Sequence, residues 1–182
     1  TDMGFETYQK ILAEAMEELG VETGIVTRSS NDSYTSDCTI ETDQLALIPD
    51  GYIDLTAEKI RIYKELDSIS NEKDLEIMRG KLTDRFGKIP VELDRLFDIV
   101  RIRQLGVKLG FEKIIIKNGV MIAFFISNPL SQYYKSDRFS KVLDSVSSHG
   151  QLFELKQPDG RLRIVVRNVD SIAKAYETLK KL

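Results

Sequence analysis

Tryptophan is missing from this 182-residue chain, and cysteine and histidine occur once each, as Cys38 and His149. One cysteine cannot close an internal disulfide, and one cysteine with one histidine cannot make a zinc site of the Cys/His kinds. Both residues read as structural or incidental, with no metal expected. No apolar run nears the ~20 residues a membrane helix needs, and the N-terminus carries no basic-then-apolar segment of the signal-peptide kind. Those absences point to a cytoplasmic protein without a membrane partner. There is also no GxxxxGK(S/T) stretch and no glycine-rich strand-to-helix turn, so no nest of backbone amides is placed to cradle phosphates. Neither ATP hydrolysis nor a bound cofactor is expected of this chain. His149 lies in Ser147-Ser148-His149-Gly150, a polar helix end where it complements the dipole rather than activating a serine. The carboxylate pairs Glu17-Glu18 and Asp94 with Asp98 have ordinary helix-surface spacing and read as solvation. The expectation is a non-enzyme, with no catalytic residues.

What is present is an ordinary globular composition, 42% hydrophobic, enough for one large domain or two small ones. The net charge of −3 is unevenly spread. Residues 1–51 carry two basic and eleven acidic side chains, while residues 110–182 carry twelve basic and seven acidic ones. Such asymmetry fits a surface that faces a partner or another domain.

Tyr8, Ile11, Leu12, Ala15, Met16 and Leu19 form a narrow apolar stripe that ends at Gly20, which predicts an amphipathic helix. The chain starts almost directly in this stripe, as a piece of something longer would. Residues 21–37 turn polar, with Ser29-Ser30-Asn31-Asp32-Ser33 reading as a linker. From Cys38 to Leu47 the pattern is extended, with its alternation slipping by one near Asp43. Thr56 or Asp54 is placed to cap a helix through Ile60, Ile62, Tyr63, Leu66 and Ile69. Leu75, Met78, Leu82 and Phe86 then line one side of a second helix, capped by Asn71. A third runs from Pro90 to Gly110 and is apolar on more than one face, so it should lie central.

Beyond Gly110 helical spacing gives way to alternation. Phe111 to Lys117 and Val120 to Ser127 flank Asn118-Gly119, the strongest short hairpin signal. A helix follows over about 136–148. Gln151 to Gln157 and Arg161 to Arg167 flank Pro158-Asp159-Gly160, and a last helix begins near Asp170. The fold class is therefore α+β: N-terminal helices and an extended segment, a helical cluster, then a four-stranded antiparallel sheet built from two hairpin-plus-helix units.

The stretch from Leu82 to Pro90 closes one helix and opens the next. Gly87 stands where a left-handed residue ends a helix, and Pro90 suits the start of the following one. With Phe86 turned into the core, Asp84 and Arg85 are left on the outer side of the last turn. They are either a rigid recognition pair or a plain surface pair in which Arg85 complements the helix end and a nearby carboxylate.

Asp84-Arg85-Phe86-Gly87 with Pro90 resembles the C-terminal module, the TRCF domain, of bacterial transcription-repair coupling factors. Ile48-Pro49-Asp50, Tyr52-Ile53, Tyr63-Lys64 with Leu66, and Leu109-Gly110 match in order and spacing, so the resemblance covers about residues 45–110. Gly51, Lys59 and Lys81 depart from the pattern, Lys81 standing where an acidic residue is common. The resemblance implies a regulatory domain over 38–182, preceded over 1–37 by the tail of a motor domain plus linker. It implies a helicase-like parent that uses ATP to translocate on DNA, displaces stalled RNA polymerase and recruits the damage-recognition ATPase of excision repair. It further implies that this domain folds back on the parent's N-terminal repair-factor-like domain. Asp84, Arg85, Lys81 and Lys88 would then make the interdomain contact, with Phe86, Gly87 and Pro90 holding the corner.

The rival reading is a nucleic-acid-binding module. Arg161, Arg163 and Arg167 alternate with Leu162, Ile164 and Val166 and form a basic stripe, which Lys156 and Lys180-Lys181 would extend. Against it, Glu154 interrupts the stripe, no aromatic is expected on its outward face, and the sequence pI is 5.4. Tyr133-Tyr134 reads as loop packing rather than a stacking platform.

Overall fold

A computed structural model describes residues 34–182. The helix expected from the Tyr8 to Leu19 stripe and most of the linker after it lie outside the described residues. The described chain divides into two compact units, one formed by residues 45–100 and the other by residues up to 44 together with 101–182.

The first unit is helical. Helix α1 spans Thr56–Ser68, α2 spans Glu72–Phe86, and α3 spans Val91–Leu109, its residues to Val100 belonging to this unit. α1 starts after Leu55 with no side-chain cap, so neither Thr56 nor Asp54 caps it. Asn71 does cap α2, its side-chain oxygen accepting from the Asp74 amide at 2.8 Å. Ile62, Leu66, Leu75, Met78, Leu82, Leu93 and Phe97 recur at helical spacing and are all buried. The preceding loop is pinned by the Ile48 amide, which donates to the Tyr63 hydroxyl at 2.9 Å.

The second unit is a mixed sheet in the order β1-β2-β3-β5-β4. Its strands are β1 (Thr39–Thr42), β2 (Phe111–Lys117), β3 (Val120–Phe125), β4 (Glu154–Lys156) and β5 (Arg163–Arg167). Helices α4 (Asp137–Ser148) and α5 (Ile172–Leu179) complete it. β2, β3, β5 and β4 are antiparallel as expected, but the sheet has five strands rather than four. The segment read as merely extended supplies β1, which pairs in parallel with β2 through Ile40 and Ile114. A parallel neighbour needs a long crossover, and everything from Asp43 to Gly110 supplies one. The slip in alternation at Asp43 marks where β1 stops. There the Asp43 carboxylate accepts from the Asn118 amide at 2.9 Å and holds the hairpin turn.

Asn118 and Gly119 both have positive φ, 53° and 73°, as a two-residue hairpin loop requires. Along β3, Met121, Ala123 and Phe125 are buried while Val120, Ile122 and Phe124 are half-exposed, so the sheet has one covered and one open face. Phe125 meets Phe139 of α4 edge-on with ring centres 5.7 Å apart, which puts α4 on the covered face. Tyr133 lies wholly buried in the same layer, and its hydroxyl donates to the Leu109 carbonyl at 2.5 Å.

Candidate functional site

The corner between α2 and α3 is built on backbone geometry that glycine alone adopts without strain. Gly87 has φ 89° and closes α2 through its amide to the Thr83 carbonyl at 2.9 Å. Pro90 stands just before α3, and its carbonyl accepts from Leu93 and Asp94 at 3.1 and 3.0 Å. Tyr52 ties the corner from outside: its hydroxyl lies 3.0 Å from the Leu82 carbonyl and 2.8 Å from that of Gly87. Helical periodicity carries no sign of this tie, although Tyr52 is among the residues that carry the family resemblance.

Phe86 is half-buried rather than a core residue. It occupies the open end of the stripe that Leu75, Met78 and Leu82 bury, with its ring tilted against Tyr52 at 5.8 Å. The guanidinium of Arg85 lies over its ring at 4.9 Å, and Arg85 also pairs with Glu58 of α1 at 2.6 Å. Glu58 holds Arg61 at 2.6 Å as well. Hydrogen bonding from Arg61, reinforced by the charges of Arg61 and Arg85, keeps the Glu58 carboxyl below the usual carboxylate range. Arg85 is thus fixed in direction while its side chain stays 60% exposed.

Beside it opens a cleft of about 250 Å³ lined by Arg61, Ile62, Glu65, Met78, Lys81, Leu82, Arg85 and Phe86. Lys81 and Arg85, four residues apart, lie on the same side of α2. Asp84 and Lys88 are exposed but do not line the cleft. The structure therefore gathers Lys81, Arg85 and Phe86 at one place and leaves Asp84 and Lys88 outside it.

On the open face of the sheet, Arg161 and Arg163 come together and Arg167 does not join them. Both guanidiniums lie over the Phe124 ring, at 4.8 and 4.7 Å from its centre, whereas Arg167 pairs with Glu154 at 3.1 Å. The expectation that no aromatic interleaves these arginines is corrected. Phe124 sits directly opposite Arg163 on the neighbouring strand, a register that local sequence does not encode. Tyr133 and Tyr134 stack on each other and on Phe139, consistent with packing.

Cys38 is buried, and burial first, then the nearby Asp37 carboxylate, pushes its thiol up to about 12. The exposed His149 ring lies 3.0 Å from the Ser145 carbonyl at the end of α4. Among the described residues no group of three or more His, Cys, Asp or Glu side chains is placed to hold a metal ion. No described helix is long and apolar enough to cross a membrane.

Fold and site together define an α+β module whose most developed surface features are arginine side chains lying over aromatic rings. The family model for the TRCF domain matches residues 42–136, just over half of the chain, and the chain belongs to that family. Transcription-repair-coupling factors are among its relatives. That of Rickettsia conorii is 30% identical over 170 residues, covering 93% of this chain and 14% of that protein. That of Staphylococcus epidermidis is 30% identical over 167 residues, covering 91% and 13%. That of Escherichia coli K12 is 32% identical over 114 residues, covering 62% and 10%. The chain thus spans about a seventh or less of the length of these relatives. A crystal structure of the C-terminal domain of a transcription-repair coupling factor superposes with a TM-score of 0.67, covering 80% of this chain and 88% of that one at 20% identity. That likeness concerns the fold.

Proposed function

We propose that this chain is a non-catalytic interaction domain of a transcription-repair coupling factor, acting by intramolecular contact. Residues 38–182 form the regulatory domain, and residues 1–37 are the tail of a preceding motor that takes ATP and DNA. The parent works in transcription-coupled repair, displacing stalled RNA polymerase. This domain docks on the parent's N-terminal repair-factor-like domain and covers the surface that recruits the damage-recognition ATPase.

The observation that carries this reading is the placement of Arg85. Arg85 contacts both Glu58 and the Phe86 ring, yet stays exposed beside Lys81 at the mouth of an apolar-floored cleft, so part of its side-chain freedom is restricted before a partner arrives. Preorganised charge of this kind binds at lower cost than a free surface side chain. Asp84 and Lys88 lie on the adjoining surface and extend the contact, with Gly87 and Pro90 fixing the angle at which the helix end is presented.

Calorimetry of this chain against the parent's N-terminal domain tests the contact. Binding is expected, and Asp84→Ala with Arg85→Ala should weaken it by on the order of 2–5 kcal/mol, since truncation strands a desolvated partner charge. In the full-length parent the same pair should raise recruitment of the damage-recognition ATPase. A parent that stays masked would move the contact to the surface around Lys81 and Lys88.

A further inference from the structure

The open face of the sheet carries its own chemistry, unrelated to the α2–α3 corner. Residues 101–182 hold fifteen basic and seven acidic side chains, and strand register sorts those on the open face into rows. One row across β2, β3, β5 and β4 reads Lys113, Phe124, Arg163 and Lys156. The next reads Glu41, Ile115, Ile122, Val165 and Glu154, apolar in the middle with an acid at each end.

Those two acids neutralise most of the cations. Glu41 pairs with Lys113 at 2.7 Å and Lys117 at 3.6 Å, and Glu154 with Arg167 at 3.1 Å and Lys156 at 3.2 Å. What they leave over is concentrated at Phe124. Arg163 has no ion pair among the described residues, and Arg161 has only a long one, 3.8 Å to Glu112. In addition the Nε atoms of Arg161 and Arg163 are buried without any hydrogen-bond partner. Covered as they are, these Nε atoms are not the donors an arriving acceptor meets; the remaining guanidinium nitrogens are.

Two guanidiniums stacked on one ring, beside an apolar row, combine the two elements used to hold an extended single strand. Phosphate oxygens accept from the arginine forks, and bases stack on aromatic rings or guanidinium planes. We propose that the surface around Phe124, Arg161 and Arg163 binds single-stranded nucleic acid. A duplex fits less well, because its bases are already stacked and leave the guanidinium planes and the apolar row unused.

Fluorescence anisotropy of this chain with a labelled oligothymidylate of about 20 nucleotides, at about 50 and 200 mM salt, provides the test. Binding is expected at low salt, weakening steeply with salt. Arg161→Gln with Arg163→Gln should weaken it at least about tenfold and lower the salt slope by about one to two, as two phosphate contacts are lost. Phe124→Leu should weaken it at least about fivefold, because the two guanidinium planes lose the ring they lie on, while leaving the salt slope nearly unchanged. Arg163→Lys, which keeps the charge but not the planar fork, should also weaken it and serves if the double variant does not fold. Lys180→Gln with Lys181→Gln should bind as the parent chain does. No binding at low salt, no effect of the arginine or phenylalanine variants, or equal binding to a duplex of the same length would overturn the proposal. So would displacement by poly-L-glutamate at equal charge concentration, which would mark a general acceptor of acidic chains.

Discussion

Helices α2 and α3 both end on a glycine with φ near +90°, Gly87 at 89° and Gly110 at 91°, and there the likeness stops. A Cβ added at Gly87 meets nothing within 4 Å among the described residues, whereas one at Gly110 runs into the Tyr133 ring. A glycine of positive φ serves a displayed corner in one place and a core joint in the other. At Gly87 the conformation is all that is asked of the residue, so the surrounding side chains are free to make a contact surface. At Gly110 conformation and space are both fixed, and the wholly buried Tyr133 fills the room that glycine vacates.

Substitution by alanine separates the two. Gly110→Ala combines a left-handed strain of about 1–2 kcal/mol with overpacking of about 1–3 kcal/mol, so its denaturation midpoint should fall by far the most. Gly87→Ala should cost backbone strain alone, about 1–3 kcal/mol, because its ψ of −162° puts it in a region that glycine alone populates. Equal losses at the two glycines would show that the α2–α3 corner is also packed.

Phe86→Ala sharpens the point from the side-chain direction. A fully buried aromatic costs about 3–5 kcal/mol on truncation. Half-buried Phe86 should cost roughly half of that, and Phe97→Ala in the same unit, 0% exposed, gives the full reference value by chemical denaturation.

Asp84→Ala with Arg85→Ala should move the thermal midpoint still less, because exposed ion pairs contribute about 1 kcal/mol or less. A large loss would make the Arg85–Glu58 pair structural and leave nothing spare for a partner.

The smallest expected effect lies on the sheet. The Lys113 hydrogen bond, helped by the charges of Lys113 and Lys117, lowers the folded-state titration of Glu41 from 4.5. Its contribution is therefore present above that pH and is lost as pH falls through the lowered value. Glu41→Gln should flatten the acid limb of the stability profile slightly and leave stability near neutrality almost unchanged.

Much of this was legible in local sequence. The steps from Leu75 to Leu82, the cap at Asn71, the glycine stops at 87 and 110 and the Asn118-Gly119 turn each act over a few residues, and all appear where the pattern put them. Misses occur where long-range register decides. The steps identified the side of α2 on which Phe86 lies but not that the core ends before it, and nothing near Tyr52 signals its hold on the Gly87 carbonyl. Phe124 and Arg163 are brought face to face by a strand pairing that neither strand specifies alone.

Strand β1 pairs with β2 across roughly seventy intervening residues, from Thr39 to Lys113, and that separation has a kinetic consequence. Closing so long a loop costs entropy that four residues of ladder must offset, and the loop is already shortened if the inserted helices have folded. β1 should be the last strand to zip and the first to open. Amide protons at Glu41 and Asp43, which face β2, should then exchange through partial opening, well ahead of those at Ala123 or Val165, making β1 a detachable edge on an otherwise independent four-stranded nucleus.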